Sequence, residues 1–116
     1  MADYLVLLHE DPAVTNKLSP TQMQALIQRY SDWVQGLREQ GHLSLAKKLK
    51  DEGGRHLRDD KGKMLASEGP YAESKDVISG LFLISASGYD EAQALLASGP
   101  HLEFGWIELR EVDVVG

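Results

Sequence analysis

The chain has 116 residues, enough for one domain and too few for two ordinary cores. Its 42% hydrophobic and 26% charged residues make it globular rather than disordered. Eighteen acidic against 12 basic side chains give a formal net charge of −6, which disfavours tracking of phosphate backbones, and the lack of cysteine excludes disulfides, thiolate metal sites and a cysteine nucleophile.

Tyr4–Leu8 is a short unbroken apolar run closed by His9-Glu10-Asp11-Pro12, and it reads as a strand buried on both faces at the centre of a sheet. A helix starts at Ser19, an N-cap followed by Pro20 and, three residues on, Gln22; Leu18 and Met23 are placed to staple that cap. Met23, Leu26, Ile27, Tyr30, Val34 and Leu37 make its apolar stripe, with Trp33 near the stripe's edge, and Gly41 ends it. Gly36 inside the helix costs about 1 kcal/mol relative to Ala, which points to close packing there.

Leu43–Ala46 alternates as a strand should. Arg55–Arg58 and Lys63–Ala66 flank Asp59-Asp60-Lys61-Gly62 as a polar hairpin. Val77–Ala86 is the strongest strand, with Gly80 marking a bulge or a close backbone approach. A second helix over about Asp90–Ser98 turns Ala92, Leu95 and Leu96 inward and stops at Gly99-Pro100. The last strand, about Glu103–Val112, puts Phe104, Trp106, Glu108 and Arg110 on one face and Gly105, Ile107 and Leu109 on the other.

Without the hairpin the order is βαββαβ, so the expected fold is α+β and ferredoxin-like, one domain over 1–116 with an inserted polar β-hairpin. Two helices cover one face of such a sheet, and a second copy is expected to cover the other, giving a homodimer. No apolar run approaches the ~20 residues that span a bilayer, and Met1-Ala2-Asp3-Tyr4 lacks a basic leader, so a cytoplasmic protein with no membrane partner is expected.

Residues 38–63 carry eight of the 12 Lys and Arg residues. They form either a local site for a carboxylate, phenolate or phosphate or, the weightier reading, a solvated edge. No aromatic residue interleaves with them, which disfavours nucleic acid. His9 ends the first strand, where pockets open; His101 follows Gly99-Pro100 and precedes Glu103, so it is either a general base or a loop histidine that only hydrogen-bonds. Trp33 lines a pocket or is plain core. No metal-ligand spacing is present.

Glu68-Gly69-Pro70-Tyr71-Ala72-Glu73-Ser74-Lys75-Asp76 resembles the DGPF signature of YCII-related proteins. Leu5–Leu8, Ser19-Pro20-x-x-Met23, Gly80–Ile84, Pro100–Gly105 and Ile107–Arg110 match the rest of that group in order. The resemblance implies a dimeric α+β barrel of two ferredoxin-like subunits. It also implies a small-ligand-binding homodimer with a regulatory role, some relatives being linked to extracytoplasmic-function sigma factors. The alternative is a cofactor-independent lyase or isomerase on a small organic acid or hydroxyaromatic ring. The fold is shared with muconolactone isomerase, and one relative is a dehydrochlorinase of chlorinated hydroxyaromatics. Such enzymes pair a helix histidine with an aspartate before the last strand, positions held here by Tyr30 and Gly99. The candidate site is then His101 and Tyr30 as proton carriers, with Trp33, Tyr71, His9, Lys48 and Glu103 around a small anionic or aromatic ligand, and no metal or cofactor. Lys47-Lys48 stands where the group has small residues and glycine.

Overall fold

The computed structural model describes residues 1–52, 54–68 and 76–114, so Tyr71 and most of the signature segment lie outside the described residues. The elements are β1 (Ala2–Glu10), α1 (Pro12–Thr15), α2 (Pro20–Glu39), β2 (Leu43–Lys48), β3 (Arg55–Asp60), β4 (Lys63–Glu68), β5 (Val77–Ala86), α3 (Tyr89–Ala97) and β6 (Gly105–Glu111), with a 3-10 turn at His101–Glu103. The main sheet has the order β2-β5-β1-β6, every neighbouring pair antiparallel. That is the ferredoxin-like arrangement with β3 and β4 inserted as a separate two-stranded ribbon.

Local chemistry explains the elements. The Ser19 hydroxyl accepts from Gln22 N at 3.1 Å while Gln22 Oε1 accepts from Ser19 N at 2.8 Å, a complete capping box. The ribbon closes on Lys61 and Gly62, whose φ values of 52° and 86° make the turn whose twist matches a two-residue hairpin. The short α1 was not expected; Asp11 caps it by accepting from Ala13 N at 3.0 Å.

One core lies between the helices and one sheet face. Tyr4, Val6, Leu8, Phe82, Ile84 and Ala86 from the central strands meet Trp33 and Leu37 of α2 and Ala92 and Leu96 of α3. Two expectations for α2 are corrected. Ile27 is 60% exposed and Trp33 only 7%, because the helix turns its Leu26–Tyr30–Trp33–Leu37 line to the sheet. A Cβ at Gly36 would meet nothing within 4 Å, so no close packing explains that glycine. The last strand also starts later than expected, at Gly105, because His101–Phe104 coils into the 3-10 turn and its cap.

Among the described residues no helix lies on the other face of the sheet. In the subunit β1 is central but buried on one face only: Leu5 and Leu7 are half-buried, as are Leu81 and Leu83, and Leu45 is exposed. Cross-strand register sets these residues in rows, Leu45–Leu83–Leu5–Arg110 and Lys47–Leu81–Leu7–Glu108, with His9 beside Trp106 in the next row.

Candidate functional site

The two sides of the sheet meet at His9. On the helix side, α2 presents Tyr30 and the 3-10 turn presents His101, which is 1% exposed. The Tyr30 hydroxyl lies 2.7 Å from His101 Nδ1, and His101 Nε2 lies 2.8 Å from the His9 carbonyl oxygen. A carbonyl can only accept, so Nε2 carries the proton; in the neutral ring Nδ1 then accepts from the Tyr30 hydroxyl. The chain Tyr30 to His101 to His9 is thus directional and uses both ring nitrogens.

Glycine makes the approach possible. A Cβ on Gly105 would stand 2.0 Å from the His9 carbonyl oxygen, so β6 closes on β1 only without a side chain there. Next to this point the β1–β5 register slips between Leu8 and His9, opposite Gly80, whose own Cβ would stand 2.9 Å from the Lys47 carbonyl oxygen.

Burial pushes the Tyr30 hydroxyl well above the ordinary tyrosine range, the negative charge of Glu10 adds to this, and Arg29 opposes it. Tyr30 is therefore a hydroxyl donor at physiological pH and no general base. The sign of the linkage follows: its stabilisation is complete below about 10, the ordinary tyrosine value, and is lost as pH rises from there toward the folded value. Tyr4 is also raised, by burial and then by its hydrogen bond to Glu111. Urea midpoints measured from pH 8 to 11 should fall above pH about 10, and less steeply in Tyr30→Phe; a variant with an unchanged alkaline slope would contradict the assignment.

On the uncovered face the His9 ring stacks on Trp106, with centroids 3.9 Å apart and planes 9° from parallel. His9 Nε2 lies 3.2 Å from Glu108 Oε1. Trp106 Nε1 donates to Asp76 Oδ2 at 3.1 Å, and nearly half of the Trp106 surface remains exposed.

The structure therefore brings His101, Tyr30 and His9 together, with the Trp33 ring 6.1 Å from that of Tyr30 and Glu103 in the same turn as His101, while Tyr71 lies outside the described residues. The Trp33 ring sits in the core, edge-on to Phe82 at 5.1 Å, its Nε1 donating to the Leu95 carbonyl at 3.2 Å. Only the rim of Trp33 borders an open groove of about 380 Å³ along α2, shared with Arg29, Asp32, Gly36, Ser98 and Pro100. Glu103 forms a two-pronged ion pair with Arg29, which holds its carboxyl below the usual range. Both partners are half exposed, so the pair adds little stability. Lys48 lies at the end of β2, opposite Gly80, and pairs with Asp51 at 3.0 Å. Trp106, Glu108 and Asp76 were not among the expected site residues. The alternation of the last strand put Trp106 and Glu108 on one face, but only the β1–β6 register sets them beside His9.

Among the described residues no group of three or more His, Asp or Glu side chains could hold a metal ion, and no helix is long and apolar enough to cross a membrane. No buried side-chain nitrogen or oxygen among the described residues lacks a partner. His101 is thus a satisfied core histidine with no open lone pair facing a cleft. The curated proteins include none that matches this chain. The model of the YCII-related domain matches residues 2–115, a span that takes in every strand and helix of the fold, and the chain belongs to that family.

Proposed function

We propose that the protein is a homodimeric small-ligand-binding module, two sheets packed face to face, with the ligand held at the His9–Trp106–Glu108 end of that face. One observation carries the reading. The helix-free face combines a leucine centre (Leu5, Leu7, Leu81, Leu83) with an exposed aromatic ring backed by a histidine and a carboxylate. The leucines suit a second sheet and the ring suits a planar ligand. A two-fold axis along the strands would set Lys47 at one edge of the face opposite Glu108 at the other edge of its mate, and leucine against leucine.

A small aromatic ligand stacking on the free side of Trp106 fits best, its polar substituents reaching His9 or Glu108. Such a module suits a sensing role, which the DGPF resemblance also implies. The lyase or isomerase alternative gains nothing from the geometry, because both ring nitrogens of His101 are occupied and Tyr30 keeps its proton.

The oligomer is tested by sedimentation. The wild type should run as a dimer at micromolar concentration and Leu83→Asp as a folded monomer, since Leu83 is only half-buried within the subunit. A monomeric wild type would sink the reading. For the ligand, small aromatic acids, phenols and amines should raise the melting temperature and quench emission in the wild type and not in Trp106→Ala. Hits that bind the variant equally well would place the site elsewhere.

A further inference from the structure

An indole lying open on a sheet supplies one wall of a binding site. Trp106 stacks one ring face on His9 and is held at its edge by Asp76, yet it stays 46% exposed. A small-molecule site buries most of its ligand's surface, so a second wall is needed. β6 is an edge strand of the sheet, so no strand of the subunit flanks Trp106 on its outer side.

Two observations say where that wall comes from. The first is charge within one row. Lys47 and Glu108 end the row Lys47–Leu81–Leu7–Glu108, three strand spacings or about 14 Å apart, so they do not meet within the subunit. Lys47 has no ion-pair partner among the described residues. A base, two leucines and an acid in that order are self-complementary. Turned about an axis along the strands, a second copy sets Lys47 over Glu108 and leucine over leucine. In the neighbouring row the same turn lays Arg110 over Leu45, on which its alkyl stem packs. The second observation is register. Leu49 N donates to the Ser79 carbonyl at 2.8 Å, so the chain still follows β5 beyond Lys47, and Leu49 is 38% exposed. Alternation puts Leu45, Lys47 and Leu49 on the open face. Leu49 is one step past Lys47, as Trp106 is one step past Glu108, and both steps run toward the same end of the sheet. An axis along the strands preserves that height, so Leu49 of a second copy stands over Trp106.

We propose that the ligand site at Trp106 is shared between subunits, with Leu49 and Lys47 of a second copy forming its outer wall and a flat aromatic ring held between Trp106 and that leucine. The inference rests on the homodimer and the Trp106 site above, and adds that the site is incomplete in one subunit. It follows that a dimer has two sites, one at each edge of the paired sheets, and that ligand and dimer tighten each other. Trp33 is 7% exposed, so a collisional quencher reports on Trp106. On the full chain, the acrylamide quenching constant should fall about twofold or more as rising concentration takes the wild type from monomer to dimer, and stay high throughout in Leu83→Asp. 4-Nitrophenol, a small planar quencher, should bind the wild type about tenfold or more tighter than Leu83→Asp, although that substitution leaves Trp106 untouched. Lys47→Glu, at an exposed position, should raise the dimer dissociation constant about tenfold or more, and Lys47→Glu/Glu108→Lys should recover most of the loss. Quenching that ignores concentration while the dimer population changes would overturn the shared site and leave the dimer standing. Equal 4-nitrophenol affinity in the wild type and a monomeric Leu83→Asp would also overturn it and leave the Trp106 site standing. A charge swap that recovers nothing would overturn the placing of Lys47 at Glu108, and the shared wall with it. Equal affinity in Trp106→Ala would overturn the Trp106 site itself, and a wild type that stays monomeric throughout would overturn both readings.

Discussion

Gly105→Ala is expected to destabilise the protein by about 3 kcal/mol or more, at the severe end of overpacking substitutions. The added methyl would stand 2.0 Å from the His9 carbonyl oxygen, 3.0 Å from His9 C and 3.1 Å from Glu10 Cα. All three are backbone atoms of the central strand β1, so no side chain can swing aside. Relief requires β6 to move off β1, which opens the ladder from Tyr4–Glu111 to Glu10–Gly105 and draws the His9 carbonyl away from His101 Nε2. Two other glycines calibrate the result. At Gly99 the methyl would stand 2.2 Å from Trp33 ring atoms, and a ring can tilt, so a smaller loss of about 1–3 kcal/mol is expected. At Gly36 nothing lies within 4 Å and the site is helical, so Ala should stabilise by up to about 1 kcal/mol. Urea denaturation at one fixed protein concentration, which holds any association term constant, gives all three. A Gly105→Ala protein within 1 kcal/mol of the wild type would mean that β6 does not approach β1 this closely.

The elements whose signal is local were legible in the sequence. Ser19, Pro20 and Gln22 mark the start of α2 by chemistry within one turn, and Val77–Ala86 announces β5 by composition alone. Trp33 was harder to place. It lies at the edge of a stripe drawn through Ile27, and both it and Ile27 are large and apolar; only the sheet beneath decides which one is buried. The candidate site was legible in half. His9, His101 and Tyr30 stand out as residue types, whereas their contact depends on two glycines, Gly99 and Gly105, whose role is to lack a side chain opposite another strand or ring. The Trp106–His9 stack depends on pairing between residues 97 positions apart, which no local pattern encodes. The same logic explains why the ribbon looked merely polar: Leu57 and Met64 come to share a face only once the register is set.

The second large effect is expected at His101. Replacing this 1%-exposed imidazole by Ala removes packing volume, takes away the partner of the Tyr30 hydroxyl and removes one donor from the His9 carbonyl. Cavity formation in a core and an unsatisfied buried polar group each cost about 1–3 kcal/mol, so a loss of about 3–4 kcal/mol should result. Tyr30→Phe alone should cost about 1 kcal/mol, the range for a single hydrogen bond, because the imidazole keeps its bond to His9. In the double variant the Tyr30 hydroxyl is already gone, so its loss cannot be counted twice, and the combined effect should fall short of the sum by about 1 kcal/mol. A sum additive within about 0.3 kcal/mol would show that the 2.7 Å contact contributes nothing. The cycle also separates two roles for His101. If it only fills space, His101→Phe should restore most of the stability and leave the open face as it was. If it holds the His9 backbone in place, the His101→Phe protein should still show a shifted Trp106 emission, because the His9 ring stacked on that indole is carried by the backbone that Nε2 anchors.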